Sequence, residues 1–404
     1  MKFPTKKITV ALTAALLVAF IFSASGCASV TAQAYEMYGI FGTQSAVVVY
    51  ADYGDRSQSA NVAKATAEIE AVFTEIDAAV GLNYEDSDVS RFNRADAGAT
   101  LEITKITYEL LTRAKELYEY TDGAYDPAVG LLVDLWGFTP RFNEIGYTPA
   151  RPYDRADAGT LPDYRYIEAF RLLTGFGDVE LMTGDGKYYV TKPNRTVKLE
   201  HDDEVYTMNI DLGGIGKGFA ADKAREILAA HGLTEAYANV GTSSLALLSN
   251  AKDAEGAPAK NMWSVSLAHP RGGAPYLNVY AKNTAAGTSG DYEHVYTVDG
   301  VAYCHIIDPQ TGRPIANGTA TVSLFGRTAA DGDALATALC VMGRDKAIGF
   351  INEKLRDCRV AMVCRTDGAN YGFITNMKSA YYKLNGIDFP VVSRINNGKL
   401  EYVG

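Results

Sequence analysis

Asn209-Ile-Asp-Leu-Gly-Gly-Ile-Gly-Lys-Gly-Phe219 is the stretch on which the reading of this chain turns. Just before and within it, Tyr206, Met208, Ile210 and Leu212 alternate with other residues, the period of a half-buried strand, which is expected to end at Asp211. Gly213, Gly214, Gly216 and Gly218 then let the backbone turn tightly. A helix is expected from about Lys217 through Phe219–Ala230, stopping at Gly232. A helix N-terminus offers unpaired N–H groups and a partial positive charge to a phosphate, and Lys217 adds a full charge there. The segment is not a Walker A loop, because no Ser or Thr follows Lys217. Nor is it Gly-x-Gly-x-x-Gly, because Gly214, Gly216 and Gly218 are spaced two apart. By itself it serves either a bound phosphate or a plain strand-to-helix corner.

Upstream, Gln44–Tyr50 is β-rich. Asn61–Val80 carries Val62, Ala65, Ile69, Val72, Phe73 and Ile76 on one helical face. Thr104–Thr121 repeats that pattern behind a capping Thr104. Thr139–Pro162 is rich in Pro, Gly, Arg and Tyr and reads as a long surface loop. Downstream, short strands are expected at Tyr237–Val240, Trp263–Leu267, Leu277–Ala281, Tyr303–Ile307 and Thr321–Leu324, and a helix at Asp331–Gly343. No regular βαβ rhythm runs through this order, which favours an α+β fold.

Three further clusters could carry chemistry. Tyr125 and Asp126, on a Gly/Pro-defined turn after a helix, suit either a flat heterocycle or a helix C-terminus with a buried Tyr and a capping Asp. His305, near a strand end, is a candidate general base at neutral pH or a hydrogen-bonded structural residue. Asp308 beside it reads as a turn cap. Asp333 and Thr337 are four residues apart and share a helical face. They are hard oxygen ligands suited to Mg2+, or an N-cap with a Thr on a solvated face.

Composition narrows the class. The chain has 404 residues with 47% hydrophobic residues, enough for a real core. Its net charge of -10 argues against a nucleic-acid binder, which needs a basic face. Five cysteines without Cys-x-x-Cys spacing make neither a disulfide scaffold nor a zinc centre. Lys2, Lys6 and Lys7 precede an apolar run from Ile8 to Phe22, too short for a span of roughly 20 residues but suited to a secretory signal. Cys27, after small residues ending at Gly26, resembles the lipobox of bacterial lipoproteins, although Ala24 replaces the usual Leu; ordinary cleavage near an Ala-x-Ala-like site is the other reading. Both readings export the mature chain. Residues 1–26 are therefore expected as a signal, 27–37 as a tether, and 38–404 as the functional unit.

Taken in order, the motifs resemble the ApbE family of FAD:protein FMN transferases. They are Ser87-Asp-Val-Ser-Arg-Phe-Asn93, Asp122-Gly-Ala-Tyr-Asp-Pro127, Leu135-Trp-Gly-Phe138, Asp211–Phe219 and Asn239-Val-Gly241. They continue with Thr288-Ser-Gly-Asp-Tyr-Glu293, His305-Ile-Ile-Asp-Pro309, Thr311-Gly312 and Asp333-Ala-Leu-Ala-Thr337. The resemblance runs from about Tyr38 to the C-terminus. It implies a two-lobed α+β fold of mixed and antiparallel sheets with flanking helices, binding FAD between the lobes. It also implies Mg2+-dependent transfer of FMN from FAD to a Thr or Ser of an exported redox protein, with AMP leaving. On this resemblance the flavin lies near Ala124, Tyr125 and Asp126, with Phe41 and Ile307 also cofactor-binding. Asp211 and Lys217 match FAD contacts, Asp333, Thr337 and the Gly214 carbonyl match metal ligands, and His305 matches the base. Cys27 would carry the lipid anchor that holds the protein on the outer side of the cell membrane. An FAD pyrophosphatase and a non-catalytic FAD-binding lipoprotein are the alternatives. Two departures stand out: Phe41-Gly42-Thr43 replaces the usual Met-Gly-Thr, and Thr242-Ser243 replaces the usual Gly and Asp after Gly241.

Overall fold

The computed structural model describes residues 16–20, 30–139, 160–200, 203–249, 262–326, 328–368, 370–386 and 389–403. Its frame is an eight-stranded sheet whose strands follow one another in chain order: β1 (Val30–Tyr38), β2 (Gln44–Asp52), β3 (Ala236–Val240), β4 (Ser244–Leu248), β5 (Ala285–Gly290), β6 (Thr319–Gly326), β7 (Arg359–Asp367) and β8 (Asn370–Thr375). Every neighbouring pair is antiparallel. The sheet is thus a meander, and the rest of the molecule is inserted between its strands. Helices α1 (Arg56–Val80), α2 (Asp88–Arg94), α3 (Lys105–Tyr120), α4 (Gly130–Leu135), α5 (Tyr164–Arg171) and α6 (Gly216–Ala230) all lie between β2 and β3. Helix α7 (Ala329–Lys354) lies between β6 and β7.

The pleat sends alternate residues to opposite faces. On one face Val47, Val49, Ala246, Leu248, Val322, Leu324, Val360 and Met362 pack under α1, α3, α6 and α7. On the other, Leu245, Leu247, Phe325, Ala361, Val363 and Phe373 pack against Trp263, Val265, Leu277 and Val279 of a smaller sheet inserted between β4 and β5. That sheet also contains Tyr382–Leu384 and, beside Trp263–Leu267, the backbone of Leu16–Phe20. The result is an α+β fold of two stacked sheets with helices on one side, in agreement with the expected class.

Helices set by periodicity appear where the sequence places them. Thr104 caps α3 by accepting from the N–H of Thr107, and α6 begins at Gly216. Three expectations change. The strand expected over Tyr206–Leu212 is a strand only at Val205–Thr207. Beyond it the backbone is taken by other partners: the Asn93 side chain bonds both the N–H and the C=O of Ile210, and Asn209 C=O and Asp211 N–H pair with Gly130 and Pro127. The expected tether is, from Val30 onward, strand β1, paired along its whole length with β2. Helix α7 also runs past Gly343, which breaks the helical geometry at φ +70°. Cys27 and most of the Thr139–Pro162 loop, residues 140–159, lie outside the described residues. No helix among the described residues is long and apolar enough to cross a membrane.

Candidate functional site

The site is built where the N-termini of α6 and α7 cross. The crossing is close enough to require glycine: a Cβ on Gly218 would stand 2.3 Å from the carbonyl oxygen of Ala329. Helix α6 has no side-chain cap of its own at Ile215. Asp333 of α7 supplies one, its Oδ2 accepting from the Gly218 N–H at 2.7 Å. In return, Asp222 of α6 accepts from the N–H groups of Ala329 and Ala330 at 2.7 and 2.9 Å, capping α7. Each helix therefore satisfies the orphan donors of the other and sets a carboxylate against its positive end.

Asp333 is 5% exposed. Ser244, at the start of β4, donates its hydroxyl to both carboxylate oxygens, at 2.8 and 2.7 Å. Burial pushes the Asp333 carboxyl up to about 7, against the opposing pull of Lys217, Ser244 and the Gly218 N–H. Gly287 of β5 abuts the same turn, since a Cβ there would lie 2.1 Å from the backbone nitrogen of Asp333. One helical turn on, Thr337 donates to the Asp333 carbonyl at 3.1 Å and meets the Ser289 hydroxyl at 3.0 Å. Gly214 completes the group: a Cβ on it would sit 3.4 Å from the Tyr125 ring and 3.7 Å from Thr337 Oγ1. The expected metal ligands Asp333, Thr337 and Gly214 are thus neighbours. They offer a carboxylate, a hydroxyl and a carbonyl, a set suited to a hard cation that keeps waters or phosphate oxygens. No cluster of three or more His, Cys, Asp and Glu gathers among the described residues.

Around this centre, Asp211 accepts from the Gly213 N–H at 2.7 Å, and Lys217 Nζ lies 3.3 Å from the Gly213 carbonyl. Burial raises the Asp211 pKa, with the Gly213 N–H and Lys217 opposing it. Tyr125 is 3% exposed and its buried hydroxyl has no hydrogen-bond partner among the described residues. Burial raises its pKa well above the usual tyrosine value, helped by Asp211, Asp126 and Asp333. Such an orphaned hydroxyl costs about 1–3 kcal/mol unless something bonds to it.

Asp126 does other work. Its carboxylate accepts from the backbone N–H groups of Ala128, Gly175 and Phe176, so both oxygens hold the chain together beneath the Tyr125 turn. Ala124 is half-buried on the same core, and Phe41 (φ +56°) packs edge-on against Phe73. Thr43, two residues on, reaches Gly241, which also abuts Lys217, so this turn borders the site. Ile307 is buried in a separate cluster with Leu132, Trp136 and Ile167.

His305 follows the hairpin Val295–Val298/Val301–Cys304 directly. Its Nδ1 lies 2.8 Å from the carbonyl oxygen of Glu293. A carbonyl can only accept, so Nδ1 carries the proton and Nε2 is left as the basic nitrogen. Burial pulls the imidazole down to about 4, with His294 and Lys217 adding to the effect, so the ring is neutral at pH 7. Asp308 caps its own turn, accepting from Gln310 N–H and Thr311 hydroxyl, as the sequence suggested.

Several residues of the site carried no individual signal. Ser244, Asp222 and Gly287 act through partners far along the chain. Asn93 and Glu293 stood inside quoted motifs, but their roles as a backbone clamp and a carbonyl acceptor needed three dimensions.

Known proteins place the arrangement. A protein of Treponema pallidum named FAD:protein FMN transferase is 32% identical over 317 residues, covering 78% of this chain and 80% of its own length. The protein of that name from Escherichia coli is 29% identical over 291 residues, covering 70% and 74%. Among solved structures, the ApbE protein of Thermotoga maritima superposes with a TM-score of 0.64 at 29% identity, over 82% of this chain and 94% of that one. The flavin transferase ApbE from Vibrio cholerae, at 24% identity, shares the fold with a TM-score of 0.65 over 87% and 98%. The ApbE family profile matches residues 41–362, a span that holds the crossed N-termini of α6 and α7, the Tyr125 turn and His305. This chain belongs to the ApbE family.

Proposed function

We propose that the protein binds FAD and, with Mg2+, transfers its FMN moiety to a Thr or Ser hydroxyl of an exported acceptor protein, releasing AMP. The observation that carries this reading is one juxtaposition. A buried carboxylate (Asp333), a hydroxyl (Thr337), Gly214 and a buried tyrosine hydroxyl with no partner among the described residues (Tyr125) gather at a helix N-terminus next to Lys217. That is a receptacle for an anion and a hard cation together.

Each residue has a task in this scheme. Tyr125 lies against the flavin end and gains a partner for its hydroxyl. Lys217 and the start of α6 draw in the pyrophosphate. Asp333, Thr337 and the Gly214 carbonyl would hold Mg2+, which when bound neutralises charge building on the pyrophosphate oxygens. His305 Nε2 accepts the proton of the acceptor hydroxyl as its oxygen bonds to the FMN phosphorus and the bond to AMP breaks. Positioned general-base help of this kind contributes roughly 10²–10⁴-fold. Anchoring through lipidated Cys27 on the outer face of the cell membrane completes the proposal and fits an exported partner.

The test is direct. Purified protein, FAD, Mg2+ and a candidate acceptor should yield one covalent flavin per AMP released, and H305Q should bind FAD but transfer slowly. FMN and AMP set free without labelling the acceptor would mark a pyrophosphatase. Tight FAD binding with no AMP would mark a binding protein. Fatty-acid labelling of the exported chain, lost in C27A, checks the anchor.

A further inference from the structure

The smaller sheet on the far face of the main sheet sends one charged residue back toward the site. Arg271 sits on the turn joining Trp263–Leu267 to Leu277–Ala281. That turn is locked: Gly272 N–H donates to the His269 carbonyl, Arg271 N–H to His269 Nδ1, and the His269 ring stacks on Phe389 at 4.6 Å. From it the guanidinium grips Asp291 with both arms, Nη1 to Oδ1 at 2.6 Å and Nη2 to Oδ2 at 2.8 Å. Nη2 also donates to the Tyr371 hydroxyl of β8 at 2.8 Å. A planar fork on a carboxylate fixes direction as well as distance.

The grip matters because of the residues that Asp291 leads into. Asp291 N–H is held by the Ala320 carbonyl. Tyr292 folds its ring across Gly290, where a Cβ would meet it at 2.3 Å. Next comes Glu293, whose carbonyl receives Nδ1–H of His305. Arg271 is thus linked through Asp291 and two further residues to the atom that orients His305.

We propose that Arg271 is a positioning residue for His305: its bidentate hold on Asp291 fixes the Glu293 carbonyl and thereby the imidazole tautomer. The sheet inserted behind the main sheet is then part of the machinery, and release of the fork leaves His305 divided between its two neutral tautomers. The rate consequence rests on the flavin-transfer reading; the tautomer consequence does not.

Two measurements on the full-length protein test this. In ¹⁵N-histidine-labelled protein, with His305 assigned by its absence in H305Q, the wild type shows one tautomer with the proton on Nδ1. R271A and R271Q show a mixture, and R271K lies between. In the transfer assay R271A loses roughly 10- to 100-fold in kcat, while KM for FAD stays within about twofold. An unchanged tautomer in all three variants overturns the proposal, even if kcat falls. So does a loss confined to KM, which would make Arg271 a binding or purely structural residue. A shifted tautomer in a protein whose wild type transfers no flavin leaves the positioning intact and refutes the transferase reading instead.

Discussion

The two faces of the main sheet are made from the same strands yet differ in kind. Along β4, Ser244, Ala246 and Leu248 face the helices, and Leu245 and Leu247 face the smaller sheet. The far face is closed by apolar packing, with Trp263, Val265, Leu277 and Val279 seated on Leu247, Val363 and Phe373. The helical face buries Asp333 and half-buries Asp222, both held through hydrogen bonds to backbone N–H groups of the opposite helix. Burial pushes these carboxyls up to about 7 and about 6. Apart from the Arg271–Asp291 fork, the far face therefore contributes stability through apolar packing. The helical face holds carboxylates against helix N-termini and gives up some stability to do so.

If that division is right, the largest single effect belongs to Asp333. Asp333→Ala should lower transfer by roughly 10³-fold or more. Asp333→Asn can still accept from Gly218, so it should melt close to wild type and remain inactive. Transfer at wild-type rate by the Asn variant would separate the carboxylate from the chemistry. On the opposite face, Leu247→Ala should cost about 2–5 kcal/mol in denaturant unfolding and leave kcat of the folded protein unchanged. A kcat loss there would show that the apolar packing itself, and not the Arg271 fork alone, couples this face to the site.

A third prediction uses the raised pKa of Asp333. Its folded-state value of about 7 lies above the ordinary 3.8, so the carboxyl favours the folded state when protonated. That contribution is lost as pH rises from 3.8 through 7. A cation needs the ionised form, so the rise in melting temperature given by a fixed Mg2+ concentration should be larger at about pH 8 than at about pH 6. The reverse order would put the cation elsewhere. The smallest effect concerns Thr242, a β-branched residue at φ +59°. Thr242→Gly should stabilise by about 1 kcal/mol. A loss instead would show that the Thr242 side chain makes a contact worth more than its strain.

Much of this was legible in the sequence because it is local. Helices α1, α3 and α6 announce themselves by periodicity, Thr104 by its cap, and Asp333 with Thr337 by a spacing of four that any α-helix converts into one face. The strand misread over Tyr206–Leu212 shows the limit. Its alternation is real, because Met208, Ile210 and Leu212 are buried, but a strand needs a partner strand, and Asn93, 117 residues from Ile210, took the hydrogen bonds instead. The tether was misread for a similar reason: Val30–Tyr38 is largely exposed and polar-looking, and only its pairing with β2 makes it a strand. For Asp126 the sequence leaves a ligand-facing carboxylate and a capping Asp both open, and the bonds from Gly175 and Phe176, some fifty positions later, are what no local pattern encodes.

The segment from Asn209 to Phe219 marks the boundary between the two kinds of knowledge. Its glycines and Lys217 were enough to determine a sharp turn into a helix with a cationic, open N-terminus, because conformational freedom and charge are properties of the residues themselves. The surroundings of that helix end were decided only by the fold. Gly218 lets α7 come within contact, Asp333 arrives as a cap, Ser244 and Gly287 close around it, and His305 is aimed by a carbonyl twelve residues earlier. Those are long-range contacts, and no local pattern encodes a partner that packing alone brings near.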